Sequence, residues 1–325
     1  MIISKTPVRM SFFGGGTDFP EFYREHGGAV ISTTFDKYCH VNVRELPDLF
    51  GYKTQLSYAQ TERVNSVDEI KHPAIRNAMK WLGLERIALN YDADVPSKTG
   101  LGTSSSFSVG MLNAFYTMQG ISKTRRELAD DAIYLERVLC GEAGGIQDQI
   151  AAAFGGFNRI DFSADGYTVR PLEIPEERKQ RLNSNLLMFF TGLSRYSFEI
   201  QETTREAMSR KKTELTEMLK MVDAAEKILV DPKCPLGDFG RLLNETWLLK
   251  RSISSKISTD YIDECYEKAM NAGALGGKLL GAGGGGCLLF YVPEENHESV
   301  RRVFSGMHEV RFHFENDGTQ IICND

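Results

Sequence analysis

The stretch Pro96-Ser-Lys-Thr-Gly-Leu-Gly-Thr-Ser-Ser-Ser106 constrains the fold of this chain more than any other. Gly100 and Gly102 flank Leu101 and are followed at once by Thr103, Ser104, Ser105 and Ser106, then by the apolar run Phe107-Ser-Val-Gly-Met-Leu-Asn-Ala-Phe-Tyr116. Serine and threonine are favoured N-caps, and the large apolar residues after them recur at helical spacing. The preceding Ile87-Ala-Leu-Asn-Tyr91 alternates apolar and polar as a half-buried strand does. The order is strand, glycine turn, helix N-terminus. Free backbone N–H groups and the positive end of the helix dipole meet there, which suits a phosphate. The glycines permit close approach, and the hydroxyls offer hydrogen bonds or a magnesium ligand. The same geometry also caps ordinary helices. It is not a GxxxxGK[ST] loop, because Lys98 precedes the second glycine and none follows it. A dinucleotide fingerprint fits poorly, since no third glycine opens the helix. Specificity has to come from elsewhere in the chain.

At 325 residues the chain has room for two domains, each with its own core. A hydrophobic content of 42% and a charged content of 25% are those of a soluble globular protein. The net charge of −6 provides no global attraction to nucleic acid or to an anionic membrane, so a phosphate site has to be local. The start, Met-Ile-Ile-Ser-Lys-Thr-Pro, does not read as a signal peptide, and no apolar run approaches a bilayer span. Cys39, Cys140, Cys234, Cys265, Cys287 and Cys323 are scattered without a CxxC pair, which points to reduced thiols in a cytoplasmic protein.

Along the chain, strand patterns fall at residues 1–5, 28–34 and 38–43, and a polar, β-rich excursion covers about 45–70. Helical patterns follow at 73–81, 104–118, 123–139 and 146–154, then a hairpin at 157–162 and 167–170. The polar segment 173–185, carrying Pro175, marks a boundary between a domain of residues 1–180 and another of 181–325. Beyond it, Leu186–Phe190 reads as a buried strand and the charged stretch 196–230 as a helix. Further helices are expected at 236–252, 260–272 and 295–304, with strands at 287–292 and 310–314. This order fits an α+β fold, an open sheet with helices on one face.

Three further segments stand out. In Pro7-Val-Arg-Met-Ser-Phe-Phe-Gly-Gly-Gly-Thr-Asp18, the run Gly14, Gly15, Gly16 and Thr17 lies between one cation, Arg9, and one carboxylate, Asp18. A flexible turn with surface charges is the simpler reading. In Glu136-Arg-Val-Leu-Cys-Gly-Glu-Ala-Gly-Gly-Ile-Gln-Asp148, a helix carrying Glu136 ends in a glycine turn and Asp148 falls in the first turn of the next helix. The dipole there favours an ionised Asp148, although a plain helix cap would look the same. In Gly276-Gly-Lys-Leu-Leu-Gly-Ala-Gly-Gly-Gly-Gly286, five of the last six residues are glycine. Each costs conformational entropy on folding, so close approach to a ligand or to another loop is the better account.

In this order and spacing the four segments resemble the GHMP kinase superfamily, and the resemblance runs over essentially the whole chain. Within it, Arg9 to Asp18, Gly145-Ile-Gln-Asp-Gln149 and Ala151-Ala-Ala-Phe-Gly-Gly-Phe-Asn158 are most similar to the D-glycero-D-manno-heptose 7-phosphate kinases. The resemblance implies an N-terminal domain like domain 2 of ribosomal protein S5, a ferredoxin-like C-terminal domain and ATP in the cleft between them. It implies that Pro96, Lys98, Gly100, Leu101, Gly102, Thr103, Ser104, Ser105 and Ser106 hold the ATP phosphates. Ser104 and Glu136 would ligate Mg2+, and Asp148 with Arg9 would be catalytic. Gly14, Gly15, Gly16, Thr17, Asp18, Gly283, Gly284 and Arg195 would contact the substrate, Arg195 taking its distal phosphate.

The expected partner is a small sugar or sugar phosphate, with the protein a monomer or homodimer. Galactokinases carry Gly-Glu-His-Thr-Asp where this chain has Gly14-Gly-Gly-Thr-Asp18, which argues against galactose. A kinase for an unphosphorylated sugar such as fucose, and an inert sugar- and ATP-binding regulator, are the competing readings.

Overall fold

A computed structural model describes residues 1–193 and 211–325. Arg195 and the first part of the helix expected at 196–230 lie outside these residues.

Two sheets carry the fold. The larger has nine strands and is built around β1 (Ile2–Phe13) and β2 (Gly28–Glu45), which pair antiparallel. β2 is long enough to serve two neighbours. Its first half pairs with β6 (Phe157–Ser163) and its second half with β5 (Ile87–Ala93). Beyond β5 lie the short strands β3 (Thr54–Ser57) and β4 (Thr61–Val64), and β7 (Gly166–Pro171) closes a hairpin with β6. Helices α2 (Pro73–Leu82), α3 (Thr103–Met118), α4 (Arg125–Ile133) and α5 (Gln147–Phe154) bring their apolar residues into one core with this sheet. α3 is buried along most of its length, the hydroxyl residues Thr103, Ser105, Ser106 and Ser108 as well as the apolar ones.

The smaller sheet, in the order β11-β8-β10-β9, is antiparallel throughout. It is formed by β8 (Leu186–Phe190), β9 (Gly276–Leu279), β10 (Cys287–Tyr291) and β11 (His308–Glu309). The helices Lys212–Val230, Gly237–Ile253 and Asp260–Asn271 pack on it. A third apolar cluster joins the two halves. Phe12 and Phe13, at the end of β1, meet Phe239 edge-on at centroid distances of 5.3 and 5.1 Å.

Several expectations change. The segment from Thr6 to Phe13 is strand rather than loop, because Phe12 and Phe13 are both needed inside the joining core. The pairing register shifts between Pro7 and Val8, where proline has no N–H to give to the ladder. The runs 28–34 and 38–43 are one continuous strand. The polar segment at 173–185 holds a helix, α6 (Glu176–Ser184). The strand expected at 310–314 is reduced to β12 (Phe314–Glu315), which pairs with β2, and β13 (Gln320–Asn324) pairs with β1. A division at residue 180 therefore separates the chain but not the sheets, since the last strands return to the N-terminal half. The six cysteines are free thiols, as expected, and among the described residues no helix is long and apolar enough to cross a membrane.

The late glycine stretch is explained by a backbone contact. A Cβ on Gly281 would lie 2.5 Å from Gly100 Cα, and one on Gly100 would lie 2.2 Å from Leu280 O. Cys287 N also donates to Thr99 O at 3.0 Å. The two glycine loops thus lie directly against each other. Gly281→Ala should destabilise the protein by about 2–4 kcal/mol, since left-handed backbone and overpacking act together. Gly120→Ala, also at positive φ but with nothing within 4 Å, should cost only about 1 kcal/mol. Urea unfolding of both variants checks this, and equal losses would argue against the loop contact.

Candidate active site

At the centre lies a guanidinium. Arg9, 5% exposed, projects from β1 just after the register shift. Its Nε and Nη2 donate to Asp148 Oδ1 and Oδ2, each at 2.8 Å, and its Nη1 donates to Gly100 O at 2.6 Å. Its backbone N–H donates to Leu101 O at 3.1 Å. One residue therefore joins the phosphate-type loop to the first turn of α5, where Asp148 sits. The planar fork matches a carboxylate at two points, so the Asp148 side chain is oriented before any ligand arrives.

Asp18 lies beside this pair and is 1% exposed. Its carboxylate accepts from Gly16 N at 3.0 Å and Gln147 N at 3.2 Å, which places it at the N-terminus of α5. The chain can pass this close only because residue 145 is glycine, where a Cβ would fall 1.8 Å from Asp18 Oδ2. Burial raises the Asp18 carboxyl above its ordinary range and the neighbouring Asp148 adds to this, against the two backbone donors.

These groups face a pocket of roughly 650 Å³, open to solvent, lined by Arg9, Ser11, Gly15, Gly16, Asp18, Asp148, Gln147 and Arg137 from the N-terminal half. Lys250, Lys278, Gly281 and Ala282 come from the C-terminal half. Lys250 Nζ donates to Gly281 O at 2.6 Å, and burial followed by the nearby Arg9 lowers its ammonium to about 8. Lys278, 2% exposed, donates to Phe12 O at 2.8 Å, and burial pushes it well below the ordinary lysine range.

Glu136 lies next to the pocket-lining Arg137, against the start of α3. It belongs to a single stretch of π-helix, Tyr134–Leu139, that continues α4, an irregularity common at functional sites. Glu136 is 2% exposed, and burial raises its carboxyl. Oε2 accepts from Gln149 Nε2 at 2.5 Å and from Ser105 Oγ at 3.1 Å, while Oε1 is buried with no hydrogen-bond partner. The hydrogen bond thus comes from Ser105, and Ser104, whose side chain was expected to act with Glu136, is exposed at the loop surface. A buried carboxylate oxygen without a donor, on a residue bonded to Ser105 with the exposed Ser104 next in sequence, offers oxygen ligands of the kind a hard cation such as magnesium takes.

The structure sorts the remaining candidates. Gly15, Gly16 and Asp18 face the pocket. Gly14 and Thr17 face inward instead: a Cβ at Gly14 would strike Ala29 O, and the Thr17 hydroxyl lies 2.8 Å from Gly14 O. Leu101 is buried in the core joining the halves, and Ser106 Oγ donates to Pro7 O at 2.9 Å, so both attach the loop to the fold. Thr103 is also buried, whereas Pro96 and Lys98 are exposed at the rim of the loop. Gly283 and Gly284 pack against Ile257, away from the pocket, and Gly281 with Ala282 line it in their place. Arg195 lies outside the described residues. Lys250, Lys278, Arg137 and Gln147 were not anticipated. Lys278 stands inside the glycine motif and Gln147 beside Asp148, so adjacency was the available signal.

The profile described as "GHMP kinases N terminal domain" matches residues 69–156, and that described as "GHMP kinases C terminal" matches residues 235–309. The D-glycero-alpha-D-manno-heptose 7-phosphate kinase of Campylobacter jejuni is 30% identical over 319 residues, 92% of each chain. The chain belongs to the GHMP kinases and is a phosphotransferase of that family. Among solved structures, a D-glycero-D-manno-heptose 1-phosphate kinase from Bacteroides thetaiotaomicron is similar over all of both chains, with a TM-score of 0.80 and 25% identity. A mevalonate kinase at 20% identity, with a TM-score of 0.75, shares the fold.

Because burial holds the Asp18 carboxyl above its ordinary range, the stability it contributes is full below the usual aspartate range and is lost as pH rises through the raised value. Asp18→Asn should flatten this fall. Denaturation midpoints of both proteins across mildly acidic to neutral pH check it, and parallel curves would show that Asp18 titrates normally.

Proposed function

We propose that this chain is an ATP-dependent sugar kinase that transfers the γ-phosphoryl group to the anomeric hydroxyl of D-glycero-D-manno-heptose 7-phosphate, giving the 1,7-bisphosphate. The observation that carries the reading is the forked Arg9–Asp148 pair, bonded to the phosphate-type loop and opening onto a pocket whose charged lining is four cations and two carboxylates. Such a pocket suits an acceptor that is itself an anion. The names of the Campylobacter and Bacteroides relatives, both heptose phosphate kinases, support the choice of sugar.

A sugar hydroxyl is a weak nucleophile. Asp148 accepts its proton as attack proceeds, using the lone pairs that Arg9 leaves open on each carboxylate oxygen. Arg9 keeps the carboxylate in line and places positive charge beside the group being transferred. Asp18, its acceptor lone pairs partly free, orients the sugar hydroxyls. The glycine loop and the N-terminus of α3 hold the donor phosphates. Ser104 and the open oxygen of Glu136 would hold magnesium, which when bound neutralises charge between the β- and γ-phosphates. Positioning and electrostatics carry most of the rate.

Incubation with ATP and magnesium against a panel of sugars and sugar phosphates, with products read by phosphorus NMR, tests the proposal. An anomeric phosphate signal is expected from the heptose 7-phosphate and not from galactose or fucose. Turnover of a free sugar alone would move the substrate to that sugar, and ATP binding without any transfer would favour a regulator. Asp148→Asn should lower kcat by about 10²–10⁴-fold, the usual worth of a positioned base, while ATP affinity stays within about threefold. Ser104→Ala should raise the magnesium concentration needed for half-maximal rate, and an unchanged requirement would remove Ser104 from the metal site.

A further inference from the structure

Four cations line the pocket, and they are not equivalent. Arg9 is matched by Asp148 at 2.8 Å. Arg137 lies 3.7 Å from Glu136 and 3.9 Å from Glu142, and its Nη2 also donates to Gly145 O at 2.7 Å. Lys250 and Lys278 have carbonyl partners only, Gly281 O and Phe12 O, and among the described residues neither has a carboxylate within ion-pair distance. Lys278 is moreover 2% exposed, so its ammonium has lost its water without gaining an opposite charge.

A charge buried without a counterion is disfavoured, and two such charges that repel each other make it worse. The arrangement persists in a folded chain if the counterion is the ligand. We propose that Lys250 and Lys278 form a two-ammonium subsite for a phosphate dianion, and that this phosphate belongs to the acceptor sugar.

The assignment to the acceptor follows from position. The donor phosphates already have the glycine loop and the start of α3, together with the Arg9 guanidinium bonded to Gly100 O. Lys278 is tethered to Phe12 O, two residues before the loop Gly14–Asp18, on the side of the pocket occupied by Gly15, Gly16 and Asp18. Burial, and after it the neighbouring positive charges (Arg9 beside Lys250, Lys250 and Arg9 beside Lys278), lowers both lysines below the ordinary range, and a bound dianion would restore their charge. The inference deepens the kinase reading above and rests on it only for the nature of the acceptor.

Lys250→Met is the leading variant, because Lys250 is less deeply buried than Lys278 and the fold is more tolerant there. KM for the heptose 7-phosphate should rise about tenfold or more, the scale of losing one charge-assisted hydrogen bond. KM for ATP should change less than about twofold. The preference for the heptose 7-phosphate over the unphosphorylated heptose, as a ratio of kcat/KM, should fall by the same tenfold, which a merely loosened fold would not produce. Equal increases in both KM values would assign the lysines to the donor's γ-phosphate, and no change in either would remove them from binding; both overturn the proposal.

A binding measurement separates this from the kinase reading. With ADP and magnesium saturating, inorganic phosphate should give a saturable change in its phosphorus NMR line with the wild type, lost in Lys250→Met and in Lys278→Met. If the wild type phosphorylates no sugar phosphate yet shows this binding, the substrate assignment fails and the subsite stands. If it turns over the heptose 7-phosphate while phosphate binding survives both substitutions, the subsite fails and the kinase reading stands.

Discussion

The buried guanidinium of Arg9 is the constraint on which the site depends. Such a group has to find oxygen partners for its N–H donors, and here they come from two elements far apart in sequence, the phosphate-type loop at Gly100 and the start of α5 at Asp148. Satisfying one side chain thereby sets the distance between the glycine loop and Asp148. Gly102 belongs to the same arrangement, since a Cβ there would come within 3.2 Å of the Arg9 side chain. The glycine makes room for the cation.

A second constraint is that the pocket does not exist within either half alone. Both acidic residues come from the N-terminal half, and two of the four cations come from the C-terminal half. They meet because Phe12 and Phe13 extend the first strand into a shared apolar cluster with Phe239, and because two glycine loops can touch backbone to backbone. The apolar contact supplies much of the free energy and the glycines supply the proximity. The return of the last strands to the large sheet closes the chain over this junction.

The π-helical stretch carries two neighbouring residues with different surroundings. Glu136 and Arg137 are adjacent, yet one is buried beneath α3, accepting from Ser105, and the other lines the pocket beside Gly145. A regular helix directs consecutive side chains about 100° apart. That divergence lets one helix end place Glu136 under the start of α3 and Arg137 in the pocket lining.

Much of this was legible in the sequence. The strand, glycine turn and hydroxyl-capped helix around Gly100 have local causes, and so have the helices at 73–82 and 147–154. The catalytic candidates Arg9 and Asp148 were each visible beside a glycine turn, and the late glycine run announced a close contact through its entropy alone. What the sequence could not supply was direction. Lys250 in the last turn of an amphipathic helix looks like any surface lysine, and only the packing of that helix turns it into the pocket. Leu101, Ser106, Gly283 and Gly284 sit in the right motifs, but tertiary contacts turn them towards the core, Pro7 and Ile257. Local patterns determine which residues form turns, strands and helix ends, because those depend on neighbours in sequence. Which charges face each other across a cleft depends on contacts between residues far apart in the chain, and those exist only once the two halves have packed.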